Sequence, residues 1–142
     1  MVTVTDETLE AVLDRETIAV VGCSTTPGKA AHDVPAYLQR HGSEIIPVNP
    51  FADAVLGERA FDAVGDIPAD LEVDVVDVFR PSEEVAGIVD DVLARREAVG
   101  DADVLWLQLG IHDEEATDRA EAAGLTVIAD RCLKVEHARL RG

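Results

Sequence analysis

With 142 residues, nearly half of them apolar, the chain is the size of one ordinary domain and can bury a core without disulfide or metal staples. No apolar run is long enough to span a bilayer, and Met1 to Glu7 carries neither the basic nor the apolar stretch of a secretory signal. Twenty-nine acids against twelve bases leave a net charge of −17, which argues against the basic footprint of a nucleic-acid binder.

The acids are spread over every segment, so they read as a solvated surface and not as an acidic tail. Such a surface repels itself, and salt screens the repulsion. The expectation is a salt-rich cytoplasm such as that of halophilic archaea. Cys23 and Cys132 make no disulfide framework, in keeping with a reducing cytoplasm.

No internal repeat, low-complexity tract or linker interrupts the chain. Asp6 to Asp14 reads as a short amphipathic helix with Leu9, Val12 and Leu13 on one face and Thr5 or Asp6 as cap. Ile18 to Val21 is a buried strand ended by Gly22. A turn-rich loop, Gly22 to Gly28, leads into a helix from about Ala30 to His41, closed by Gly42. Ile45 to Val48 is the second strand, with Pro47 expected near its end because proline lacks a ladder donor. The stretch 49–68 is irregular, with Ala54-Val55-Leu56 as a short edge strand. Val73 to Phe79 is another buried strand. Ser82 is expected to cap the next helix, with Arg95 and Arg96 at its negative end. Val104 to Leu109 is a strand, Asp113 opens an alanine-rich helix closed by Gly124, and Leu125 to Ala129 is the last strand before a helical tail. Continuous apolar strands alternating with amphipathic helices predict an α/β fold. It is a single doubly wound, Rossmann-like domain with five or six mainly parallel strands, its core at about 16–140 behind an N-terminal helix.

In such a sheet, ligands bind beyond the carboxyl ends of the strands. The loop Gly22-Cys23-Ser24-Thr25-Thr26-Pro27-Gly28-Lys29 combines glycines, hydroxyls, a helix start and one of only two lysines in the chain. Those features suit a phosphate. Arg80 could add a second cation. The spacing is neither G-x-G-x-x-G nor a P-loop, and the second strand ends in Val48-Asn49-Pro50 and not in a ribose-binding acid. A plain NAD or ATP enzyme is therefore disfavoured.

Five segments, in order, resemble the small stand-alone CoA-binding proteins, whose domain is related to the N-terminal domain of the succinyl-CoA synthetase α subunit. They are Ala19-Val20-Val21-Gly22-Cys23-Ser24, Ile46-Pro47-Val48-Asn49-Pro50, Asp74-Val75-Val76-Asp77-Val78-Phe79-Arg80, Trp106-Leu107-Gln108-Leu109-Gly110 and Asp130-Arg131-Cys132-Leu133-Lys134-Val135-Glu136. The resemblance implies coenzyme A held along the strand ends. Gly22, Ser24 and Lys29 would stand on the phosphate side, with Cys23 and Thr25 of the same loop as further candidate contacts, and Pro47, Val48 and Asn49 would lie against the nucleotide. Phe79, Arg80, Pro81, Gln108 and Gly110 would line the rest of the cleft. Cys23 and Leu133 depart from the family's usual residues.

No nucleophile, base and orienting group can be read together, so a binding or regulatory module is expected in place of a complete enzyme. Cys132, beside Arg131 and Lys134, is a candidate reactive thiol, with a half-buried structural cysteine as the plainer reading. His112 is a cleft candidate, and Asp130-Arg131 a local ion pair. No metal-ligand spacing is present. The alternatives are an NAD(P)-linked or redox-sensing Rossmann protein, or the CoA-binding subunit of an acyl-CoA ligase. A second copy of the chain or an acyl-CoA enzyme could serve as partner; no nucleic acid or membrane is implied.

Overall fold

The computed structural model describes residues 4–141; residues 1–3, the start of the expected N-terminal segment, and Gly142 lie outside them. The elements run α1 (Asp6–Leu13), β1 (Thr17–Val21), α2 (Ala30–Arg40), β2 (Glu44–Val48), β3 (Ala54–Val55), β4 (Glu58–Arg59), β5 (Val75–Val78), α3 (Val85–Val99), β6 (Val104–Leu107), α4 (Glu114–Ala122), β7 (Thr126–Ile128) and α5 (Leu133–Arg141). One five-stranded sheet, in the order β2-β1-β5-β6-β7, is parallel throughout. The α/β, doubly wound reading holds, and five is the strand number.

Strand alternation sends Ala19, Val21, Val76, Val78, Leu105 and Leu107 into a core layer shared with α3 and α4. Ile18, Val20, Val75, Val104 and Trp106 fill the opposite layer, shared with α1, α2 and α5. Helices on both faces are why these strands are apolar without a polar alternation. Trp106 is wholly buried, and its indole N–H donates to the Arg131 carbonyl at 2.8 Å. Thr5 caps α1 by accepting from the Thr8 amide at 3.2 Å.

Pro47 is the penultimate residue of β2, near its end as expected, and pairs with Val20. Its carbonyl accepts from the Phe61 amide on the side away from β1, so the N–H that proline lacks would also have faced away from the ladder. Ala54 and Val55 do not extend the main sheet. They pair antiparallel with β4 across a tight turn in which Leu56 (φ 56°) and Gly57 (φ 77°) are both left-handed. Ser82 does not cap α3: it opens a single 3-10 turn, Ser82–Glu84, and its hydroxyl accepts from the His112 amide at 3.0 Å. Asp130 and Arg131 do not pair with each other, since Asp130 accepts from the Gly110 amide and Arg131 reaches Glu136.

Arg95 is buried, not exposed at a helix end. It pairs with Asp101 at 2.9 Å and donates to the carbonyls of Ile67 and Leu71, while Asp101 also accepts from the Val73 amide. This network clamps the irregular segment before β5 to the end of α3. Breaking such a pair would strand a buried charge.

Asp77, in the middle of the sheet, is fully buried, and neither of its carboxyl oxygens has a hydrogen-bond partner. Burial pushes its pKa well above the ordinary carboxylate range. Its neutral form is therefore the one the fold accepts. That contribution is fully present below the unfolded-state pKa and is lost as pH rises toward the folded-state value. Asp77→Asn cannot ionise, so its melting temperature relative to wild type is expected to increase from pH 4 to pH 8. A difference that stays constant across that range in thermal melts would contradict the assignment.

Candidate functional site

The sheet changes winding direction between β1 and β5: the chain passes from β1 to α2 and β2 on one side, and β5 lies on the other. A cleft of about 670 Å³ opens there, at the carboxyl ends of the strands. Gly22, Cys23, Ser24 and Lys29 line it from the first loop, and Val48, Asn49, Pro50 and Phe51 from the end of β2. Phe79 and Arg80 follow β5, and Asp62, Glu84, Ile88 and Asp91 close the far side.

Gly22 is the turning point. Its φ of 85° is left-handed, and a Cβ built on it would stand 2.7 Å from Arg80 Cδ and 3.1 Å from Arg80 Cγ. Only glycine lets the arginine stem cross there. The Gly22 amide donates to the Val48 carbonyl at 2.9 Å, joining the first loop to the end of β2.

Further along the loop, the Ser24 amide donates to the Ala31 carbonyl at 3.0 Å. That carbonyl is available because the residue four positions later, Pro35, lies inside α2 and has no N–H to give it. Ser24 Oγ accepts from the Thr26 amide, and Asp33 Oδ1 accepts from the Gly28 amide. The Gly28 bond, then the adjacent His32, holds the Asp33 carboxyl below its usual range. Among the described residues, the amides of Thr25, Ala30 and Ala31 have no protein acceptor. Lys29 stands at the N-cap of α2 and, among the described residues, has no carboxylate within ion-pair distance.

Arg80 is already engaged. Its Nε and Nη2 donate to the two Glu84 carboxylate oxygens at 3.1 and 2.7 Å. The pair raises the arginine pKa and lowers that of the glutamate. Both side chains are nearly half exposed, so water screens the attraction. The cleft thus holds two cations, Lys29 and Arg80, against three acids, Asp62, Glu84 and Asp91.

Eight of the residues expected around a ligand come together here: Gly22, Cys23, Ser24, Lys29, Val48, Asn49, Phe79 and Arg80. Five do not. Thr25 and Pro81 are exposed beside the cleft, and Pro47 is buried within β2. Gln108 follows β6, one strand from the switch point, and its side-chain oxygen accepts from the Leu133 amide at 3.2 Å. Gly110 donates to Asp130, and His112 is exposed outside the cleft. Cys23 lies in the wall with no exposed surface; burial pushes its thiol up to about 12, so it stays a thiol at neutral pH. Cys132 is half-buried away from the cleft. Its neighbours are committed elsewhere: Arg131 to Glu136, and Lys134 over the Tyr37 ring at 5.3 Å. The acids and Ile88 of the far wall escaped the sequence reading because their chain positions carry no loop signature. The Arg80 to Glu84 spacing was the one available clue.

Gly22→Ala is expected to destabilise the protein by about 1–2 kcal/mol from the left-handed backbone alone, with a further cost from moving Arg80. Chemical denaturation measures the loss. A variant as stable as wild type would show that the turn tolerates a side chain.

The model of the CoA-binding domain matches residues 16–138. The chain is 41% identical over 131 residues to the uncharacterized protein YneT of Bacillus subtilis, covering 92% of each. It is 31% identical over 101 residues to the ADP-forming acetate–CoA ligase II of Archaeoglobus fulgidus, spanning 14% of that much longer protein. Among solved structures, a hypothetical protein from Pyrococcus horikoshii OT3 superposes with a TM-score of 0.90 at 36% identity, covering 98% of this chain and 94% of that one. A dinucleotide-forming acetyl-coenzyme A synthetase 1 from Ca. Korarchaeum cryptofilum gives a TM-score of 0.66 at 27% identity, covering 84% of this chain and 26% of that one. A cleft at the winding switch, a glycine turn feeding a helix start, and a family match over most of the sequence lead to one conclusion: the chain belongs to the CoA-binding domain family.

Proposed function

We propose that this protein binds coenzyme A or an acyl-CoA in the cleft between β1 and β5, and that it acts as a binding or regulatory module without catalysis of its own. The observation that carries the reading is the convergence, in one cleft, of the Gly22 turn, the start of α2 and the uncommitted ammonium of Lys29. Phosphates favour helix starts, where amides lack intrahelical acceptors. The cleft volume is in the range of small-molecule sites. An NAD-linked reading fares worse. Both ends of the Asn49 side chain at the close of β2 are occupied, by the Cys23 carbonyl and the Phe51 amide, and no carboxylate stands at that position for a ribose.

The likeness to one part of an acetate–CoA ligase favours a second reading, in which the chain serves as the CoA-binding subunit of an acyl-CoA ligase. A second copy of the chain is the other partner we consider. The unpaired cysteines suit a reducing cytoplasm, and no described helix is long and apolar enough to cross a membrane. The acid-rich composition suits work in concentrated salt.

Calorimetric titration of the pure protein is expected to give binding with CoA and none with NAD; NAD binding without a response to CoA would overturn the proposal. Lys29→Ala is expected to weaken CoA by roughly tenfold or more, as for loss of a charged hydrogen bond, and to leave adenosine nearly unaffected. Equal weakening of both ligands would remove the lysine from the phosphate contacts. Glu84→Gln, which releases Arg80 and removes one acid from the cleft, is expected to tighten CoA by roughly two- to fivefold at low salt. Unchanged or weaker affinity would mean that the pair with Glu84 is the productive state of Arg80.

A further inference from the structure

Phe51 is 96% exposed. The other aromatic side chains are not: Trp106 is fully buried, Phe61 is 9% exposed, and Tyr37 and Phe79 are half-buried. Phe51 also does not sit on a loose loop tip. Its amide donates to Asn49 Oδ1 at 2.8 Å. Asn49 is itself tied down twice, through Nδ2 to the Cys23 carbonyl at 3.0 Å and through its amide to the Phe61 carbonyl at 2.8 Å. Pro50, between them, restricts the backbone further. The result is a backbone anchored at the rim of the cleft that Lys29 lines, with the Phe51 side chain presented to solvent and free to meet a ligand.

We propose that Phe51 is a stacking platform for the adenine ring of the bound nucleotide, and that it sets a preference for adenosine-bearing ligands over simple phosphate esters. The proposal rests on the reading of the cleft as a CoA site and adds a subsite to it. In doubly wound sheets the phosphates meet the first loop, and the nucleoside lies toward the end of the second strand, which here is the Asn49–Phe51 segment. A base placed there finds little hydrogen-bonding capacity, because the Asn49 amide is spent on the protein. It does find a flat apolar face. Stacking suits an acidic cleft as well, since adenine is uncharged and Asp62 and Asp91 do not repel it.

The test compares CoA with 4′-phosphopantetheine, which keeps the pantetheine arm and a phosphate but lacks adenosine. Phe51→Ala is expected to weaken CoA by roughly 5- to 150-fold, the span for loss of one base–aromatic stack, with phosphopantetheine affinity and melting temperature unchanged. Phe51→Trp is expected to restore CoA affinity and to show indole fluorescence quenching with CoA but not with phosphopantetheine. Phe51→Leu separates stacking from simple apolar cover, and is expected to behave like Phe51→Ala. If wild type binds CoA and Phe51→Ala or Phe51→Leu binds it equally well, the stacking assignment is wrong while the CoA site stands. If wild type does not bind CoA, both fall.

Discussion

The cleft depends on the chain leaving β1 through a left-handed turn at Gly22, directly beneath the stem of Arg80. Any side chain at that position would meet the arginine, and the arginine comes from the neighbouring strand's exit. The turn therefore couples the two strands that flank the switch point. Its amide reaches the end of β2 as well, so three strand ends are joined around one residue without a Cβ. Lys29, Asn49 and Arg80 come from distant parts of the chain, and this junction gives them a common frame.

Electrostatics make that frame demanding. A chain of net charge −17 repels an anionic ligand at long range, and three acids line the cleft beside its two cations. Attraction to phosphate must then arise at short range, from backbone amides and an ammonium in near contact. Salt acts unequally on these terms: the Debye length falls from about 10 Å at 0.1 M to about 3 Å at 1 M. The diffuse repulsion is screened before the close contacts are. A strongly acidic surface and an anion site are thus compatible in concentrated salt.

Most of the architecture was legible because parallel strands covered on both faces leave an unmistakable run of apolar residues, as in Val73 to Phe79 and Val104 to Leu109. The ends of β5, β6 and β7 were read one or two residues too long, because apolar residues continue past the last ladder bond. By contrast, β1 and β2 each begin one polar residue earlier, at Thr17 and Glu44. The hairpin at Ala54 was misplaced because its pattern says strand without saying which sheet. Ser82 has the chemistry of a cap, yet a long-range bond from His112 claims its hydroxyl. The same limit applies to the site. The first-loop residues announce themselves through glycine, hydroxyl and lysine, and Gly22, Cys23, Ser24 and Lys29 do meet, while Thr25 stays exposed beside them. Gln108 and Gly110 also follow a strand, but theirs is β6, and strand order cannot be read from spacing. The buried Asp77 did have a local signal, an acid inside the apolar run Val75 to Phe79 of a strand read as buried, which the net count of acids hides.

Pro35 has an effect that reaches beyond α2. By leaving the Ala31 carbonyl open to Ser24, it stitches the loop into the helix, so loop and helix form one preorganised body. Ordering a flexible segment costs about 1–2 kcal/mol per backbone residue, and here much of that loss falls on folding instead of on ligand capture. A loop set in advance also has no closing step to complete before it receives its ligand, so encounter by diffusion, and not a conformational search, would limit the association rate.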